Sequence, residues 1–203
     1  GMEDLHRLEA ASWTCSSLRS AAEHMHFCRA AVTYDPALPS PSAVDGGDGT
    51  VESMVRRQDQ AASTMFVYHL AGLGYEAWDY TKPWTTDDDC VKSIWRMVCY
   101  TYFPRAELGC QAGHPTTYTR PCQSSCHNYV RQCGVECCDE SVQCVFEHTK
   151  PLSPTQSLTT FGYVPHDGPS SLCTGAARRT QAPGGILAAL LAAQLLRWLG
   201  GDS

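Results

Sequence analysis

The chain's twelve cysteines constrain its fold more than any other feature, because six of them fall in one stretch with a strict internal rhythm. Cys90 and Cys99 are separated by eight residues, and Cys110 follows. Cys122, Cys126 and Cys133 then come with gaps of three and six residues. On an α-helix, nine positions amount to a rotation of about 180°, so Cys90 and Cys99 face opposite sides. Cys122, Cys126 and Cys133 fall within roughly 40° of one another, on one side. One helix is therefore tied on two faces, and another is tied repeatedly along one face. The count is even, as complete pairing requires. No CxxC occurs, although structural zinc sites are usually built from such pairs. Disulfides are thus the expected use of these residues, and no metal or cofactor is called for. An oxidising compartment follows, reached through the secretory pathway.

Charge excludes one class of partner. With 15 Lys and Arg against 21 Asp and Glu, the net charge is −6, whereas nucleic-acid binding needs a basic footprint. At 203 residues the length allows one domain and tails. The polar start Gly1-Met2-Glu3-Asp4 has no apolar run before Cys15. A secretory leader is therefore expected to have been removed or replaced.

Periodicity predicts a mainly α, disulfide-stapled domain of about four helices with little β structure. The first helix is expected over Ser17–Val32, from the spacing of Leu18, Ala21, Ala22, Met25 and Cys28. A loop follows, with Pro36, Pro39, Pro41 and the DGGDG turn at 45–49. The second helix is expected over Val51–Gly72, with Met54, Ala61, Met65, Tyr68 and Leu70 on its apolar face. The third starts at a cap formed by Thr85, Thr86 and the acidic run Asp87 to Asp89. Its stripe is Val91, Ile94, Trp95, Val98 and Tyr102, and Pro104 stops it. The acids are read as helix capping rather than as calcium ligands, and the DGGDG loop lacks EF-hand spacing. A fourth helix is expected over Arg120–Gln132. Beyond Glu147 the chain is rich in Pro, Ser, Thr and Gly and reads as an irregular tail pinned at Cys173.

Four segments result: an extension over 1–14, a cysteine-rich domain over 15–146, the tail over 147–185, and an apolar segment over 186–203. The apolar run Ile186–Leu199 would span about 21 Å as a helix, short of the roughly 30 Å hydrocarbon core. It fits the tail of a glycolipid-anchor signal, with Gly175, Ala176 and Ala177 as attachment candidates and a polar spacer before it. A terminal helix that docks on the domain or a partner is the other reading, and Arg197 favours it.

The segment Cys90-x8-Cys99-x2-Tyr102-x-Pro104, followed by Pro121-Cys122-x3-Cys126-x6-Cys133, resembles the Frizzled-type cysteine-rich domain. Cys28 with Val32 and Tyr34 is similar to that family's second cysteine and the segment after it. The C-x3-C-x6-C element also resembles, more distantly, folate and riboflavin receptors and the Niemann–Pick sterol-binding domain. The likeness covers roughly residues 15–146. It implies the pairs Cys15–Cys110, Cys28–Cys99, Cys90–Cys133, Cys126–Cys144 and Cys122–Cys173. The Cys15–Cys28 spacing is longer than that family's, and the adjacent cysteines Cys137 and Cys138 are an addition to its scheme.

The resemblance implies a secreted or surface-tethered recognition module that binds a lipid, a sterol or a protein partner in a helical groove. Candidate lining residues are Met65, Phe66, Tyr68, Leu70, Tyr75, Trp78, Tyr102 and Phe103. A second reading is a non-catalytic structural subunit of an extracellular coat, matrix or appendage, assembled through residues 150–203. A third is an enzyme, because Cys137-Cys138-x5-Cys144 matches the spacing of the catalytic helix of secreted phospholipases A2. The slots for the catalytic His and Asp hold Ser141 and Val142, so no catalytic residue is expected.

Overall fold

The computed structural model describes residues 13–40, 49–135, 147–153, 155–166 and 172–175. The expectations for Cys137, Cys138, Cys144, Ala176, Ala177 and the apolar segment 186–203 lie outside the described residues. Among those described, four α-helices dominate: α1 (Leu18–His24), α2 (Val51–Gly72), α3 (Asp89–Tyr102) and α4 (Gln123–Cys133). A 3-10 turn, Ala77–Tyr80, links α2 to α3. None of these helices is long and apolar enough to cross a membrane.

The strands are short. β1 (Trp13–Cys15) lies between β2 (Ala37–Pro39) and β4 (Pro115–Thr116), antiparallel to both. β3 (Arg105–Ala106) pairs with β5 (Tyr118–Thr119). β6 (Glu147–Ser153) and β7 (Gln156–Phe161) form an antiparallel hairpin where composition pointed to an irregular tail. Pro151 and Pro154 masked it, and a register shift beside Pro151 accommodates the ring. Thr149 and Thr159 join hydroxyls across the strands at 2.9 Å.

α2 and α3 begin as their sequences dictate. Thr50 caps α2 by accepting from Ser53 N, and Asp88 caps α3 by accepting from Val91 N at 3.0 Å. α4 ends on Gly134, whose φ of 58° is the left-handed geometry that a side chain resists.

α1 stops at His24 instead of continuing to Val32, for a specific reason. The Asp59 carboxylate of α2 accepts from three consecutive backbone amides, His26 N, Phe27 N and Cys28 N, each at 2.8 Å. A helix would use those amides internally, so their capture turns the chain out of the helix. Asp59 is only 6% exposed and sits on the buried face of α2 with Val55, Ala62, Phe66 and Leu70. This also corrects the expected face. Ala61, Met65 and Tyr68 are not its buried residues, because the true stripe is interrupted by a charged residue that looks like surface in the sequence.

The core forms where α2 and α4 pack on α3. Trp95 of α3 donates its indole N–H to Phe27 O at 3.0 Å, and the Phe27 and Phe66 rings meet at 5.3 Å. Four bridges staple this core: Cys15–Cys110, Cys28–Cys99, Cys90–Cys133 and Cys122–Cys173. They are four of the five pairs that the resemblance implies. Cys126 is disulfide-bonded too, and its partner lies outside the described residues, since every other described cysteine is already paired. Bridges in this number place the domain in an oxidising environment.

The segment after β7 is held by more than Cys173. Val164 N donates to Pro121 O and accepts from Gln123 N through its carbonyl, at 3.0 and 2.9 Å. Thr174, fully buried, donates its N–H to Arg120 O and accepts from Cys122 N. Its hydroxyl accepts from Arg105 N at 2.8 Å and donates to Thr119 O.

Two outcomes are expected. Asp59→Ala leaves three backbone amides, that of Cys28 buried, without their acceptor and lowers unfolding stability by about 3 kcal/mol in urea titration, with Asp59→Asn intermediate. Peptide mass mapping without reduction recovers the four bridges and finds no free thiol at Cys126.

Candidate functional site

α2 and α4 pack far more closely on α3 than on each other, which leaves a wedge between them. A cavity of about 410 Å³ occupies that wedge, within the size range of small-ligand sites. Each wall follows from helical spacing. α2 supplies Met65 and His69, one turn apart; α3 supplies Met97, Val98, Thr101 and Tyr102. α4 supplies Cys126, Tyr129 and Val130. Gly134 reverses the chain after α4 and brings Val135 to the same space. Tyr163 closes the site from the segment after β7, held there by the two backbone hydrogen bonds of its neighbour Val164.

Among the described residues, the lining contains no Asp, Glu, Lys or Arg. Burial pushes the His69 imidazole below its usual range, so it is neutral at neutral pH. Burial pushes the Tyr102 and Tyr129 phenols up, and Tyr163 rises by burial and by the neighbouring Tyr129. Thr101 Oγ1 already donates to Met97 O at 2.9 Å. The His69 and Tyr129 rings meet edge to face at 5.5 Å and join α2 to α4 across the cavity. Met65 is 38% exposed and Thr101 is exposed, so the cavity opens to solvent on that side. The arrangement suits an apolar body that carries a few neutral hydrogen-bonding groups. Among the described residues, no group of three His, Cys, Asp or Glu is placed to hold a metal ion.

The eight groove candidates do not gather in one place. Met65 and Tyr102 line the cavity. Phe66, Leu70 and Phe103 are buried in the core, facing away from any opening. Tyr75 packs edge-on against Tyr80 at 5.7 Å, and its phenol is pushed up by burial and by the Asp88 carboxylate. Tyr68 and Trp78 project into solvent, at 68% and 72% exposed. The anchor candidate Gly175 is buried beside Thr174. Aromatic clustering in the sequence mixed three environments, because residues 65–70 cover nearly two turns of α2 and therefore all of its faces.

His69, Met97, Val98, Tyr129, Val130, Val135 and Tyr163 were missed. His69 was within reach, since it lies four residues after Met65 on the same face. Tyr163 had no local signal at all. The chain matches no known family model, no curated protein and no solved structure.

Gly134 carries Val135 into the site through a left-handed backbone with open space around its Cα. Gly134→Ala should therefore act by backbone strain alone and lower stability by about 1 kcal/mol, read as a drop in melting temperature.

Proposed function

We propose that this chain is an extracellular, non-catalytic recognition module of the Frizzled type that holds a lipid-like ligand between α2, α3 and α4. The observation that carries this is the cavity itself: about 410 Å³, walled by Met, Val and Tyr side chains, with no charged residue among the described residues of its lining. Water gains little against such walls, and an apolar chain or ring system gains transfer free energy in proportion to the apolar surface it buries there. The bridge pattern supports the family reading, because Cys15–Cys110, Cys28–Cys99, Cys90–Cys133 and Cys122–Cys173 follow the pairing which the resemblance implies. The bridges also support an extracellular location. The non-catalytic reading rests on Ser141 and Val142 standing in the phospholipase-like slots. The ligand is a fatty acyl chain or a sterol-like molecule, and attachment of the chain to a membrane through residues 186–203 remains part of the proposal.

The test is direct. Native mass spectrometry of the gently purified protein, followed by organic extraction, should reveal a bound lipid, and delipidated protein should bind a fluorescent acyl or sterol probe. Val130→Trp, which fills the cavity from α4, should weaken probe binding at least about tenfold, equivalent to 1.4 kcal/mol, without loss of the folded thermal transition. Absence of both extracted lipid and probe binding would sink the proposal.

A further inference from the structure

Among the described residues, the cavity lining holds one side chain able to change its charge near physiological pH, and that residue bridges two of its walls. His69 stands one helical turn from the rim residue Met65, with its ring edge-on to Tyr129 of α4 at 5.5 Å. The groups sharing the cavity with it are Thr101 and Tyr102 from α3, Tyr129 from α4 and Tyr163 from the segment after β7. Phenols and hydroxyls stay neutral well above and below pH 7. Among the described residues, no carboxylate lines the cavity to balance a proton on the imidazole, and no Lys or Arg competes with it for an anion.

We propose that His69 decides which amphiphile this cavity holds: an uncharged one while the imidazole is neutral, and an anionic one once it is protonated. The inference rests on the lipid-like reading of the site. Its physics is a competition between desolvation and pairing. An apolar body that fills the cavity removes the water that would solvate an imidazolium, so a neutral ligand binds the unprotonated form. Acidification adds one proton to His69 and drives that ligand out. A carboxylate head behaves oppositely, because the imidazolium then supplies its counter-charge. Burial by the protein already works in the required direction, since it lowers the imidazole below its usual range. The switch therefore operates on the acid side of the ordinary histidine range, near 6.5. Such a module would load a neutral lipid outside the cell and release it in an acidified compartment.

The experiment uses the delipidated full chain and two fluorescent probes of equal chain length, a fatty alcohol and a fatty acid, titrated from about pH 7.5 to 5. The alcohol should lose affinity as pH falls, with a slope of at most about tenfold per pH unit, the limit for one linked proton. The acid should hold or gain affinity over the same range. His69→Gln and His69→Phe should bind the alcohol at pH 7.5 and flatten both slopes. Gln also serves as the test should Phe not fold. The proposal is overturned if both slopes are flat in the parent chain or survive in His69→Gln. If neither probe binds at any pH, the lipid-like reading itself fails, and that result is distinct from a failed switch.

Discussion

Asp59 organises this domain from inside it. Its two carboxylate oxygens take three successive amide protons, from His26, Phe27 and Cys28, at 2.8 Å each. An isolated buried carboxylate is costly, and three charge-assisted hydrogen bonds offset that cost. The geometry has consequences on every side. It ends α1, and it aims Cys28 at Cys99 of α3. It presents Phe27 O to the Trp95 indole and sets the Phe27 ring against Phe66. One side chain on α2 thus fixes the end of α1 and the docking of α3.

A second node does the same work just beyond the C-terminus of α3. Thr174 ties together Arg105, Thr119, Arg120 and Cys122, next to the Cys122–Cys173 bridge. Close by, Tyr34 donates its hydroxyl to Phe103 O, and the Arg105 guanidinium lies 5.2 Å from the Tyr34 ring centre. Burial holds the Tyr34 phenol well above its usual range, with Tyr100 adding to the shift and Arg105 opposing it. Together these contacts anchor the start of α4, and Val164 does so too. They explain how a residue as distant in sequence as Tyr163 comes to wall the cavity. Stapling also explains why the cavity survives. Cys90–Cys133 and Cys122–Cys173 close loops of 43 and 51 residues, which limits the unfolded chain and lets the fold tolerate a cavity between its helices.

Legibility in the sequence followed the type of signal. α3 was readable because a local cap and a breaker define it, Asp88 and Pro104, and α2 because it follows directly on the DGGDG turn. α1 was read eight residues too far, because the acceptor that ends it is Asp59, 31 residues beyond Cys28. The phase of α2 was misread for the same reason, since a buried charge breaks the apolar stripe. The β6–β7 hairpin was hidden by its prolines, and pairing with a partner strand outweighed its composition.

Cysteine spacing, read by itself, determined that this chain is a small helical domain stapled on several faces and suited to an oxidising environment. Those are properties of periodicity and redox chemistry, and neither depends on what packs where. The tertiary structure alone decided which residues face one another. It buried Phe66, Leu70 and Phe103, left Tyr68 and Trp78 in solvent, and brought His69, Tyr129 and Tyr163 to one cavity. The physical reason is that a cavity is a gap between elements. Its walls are set by the angle at which helices dock, and that angle depends on contacts such as Asp59 and Thr174 that no local pattern encodes.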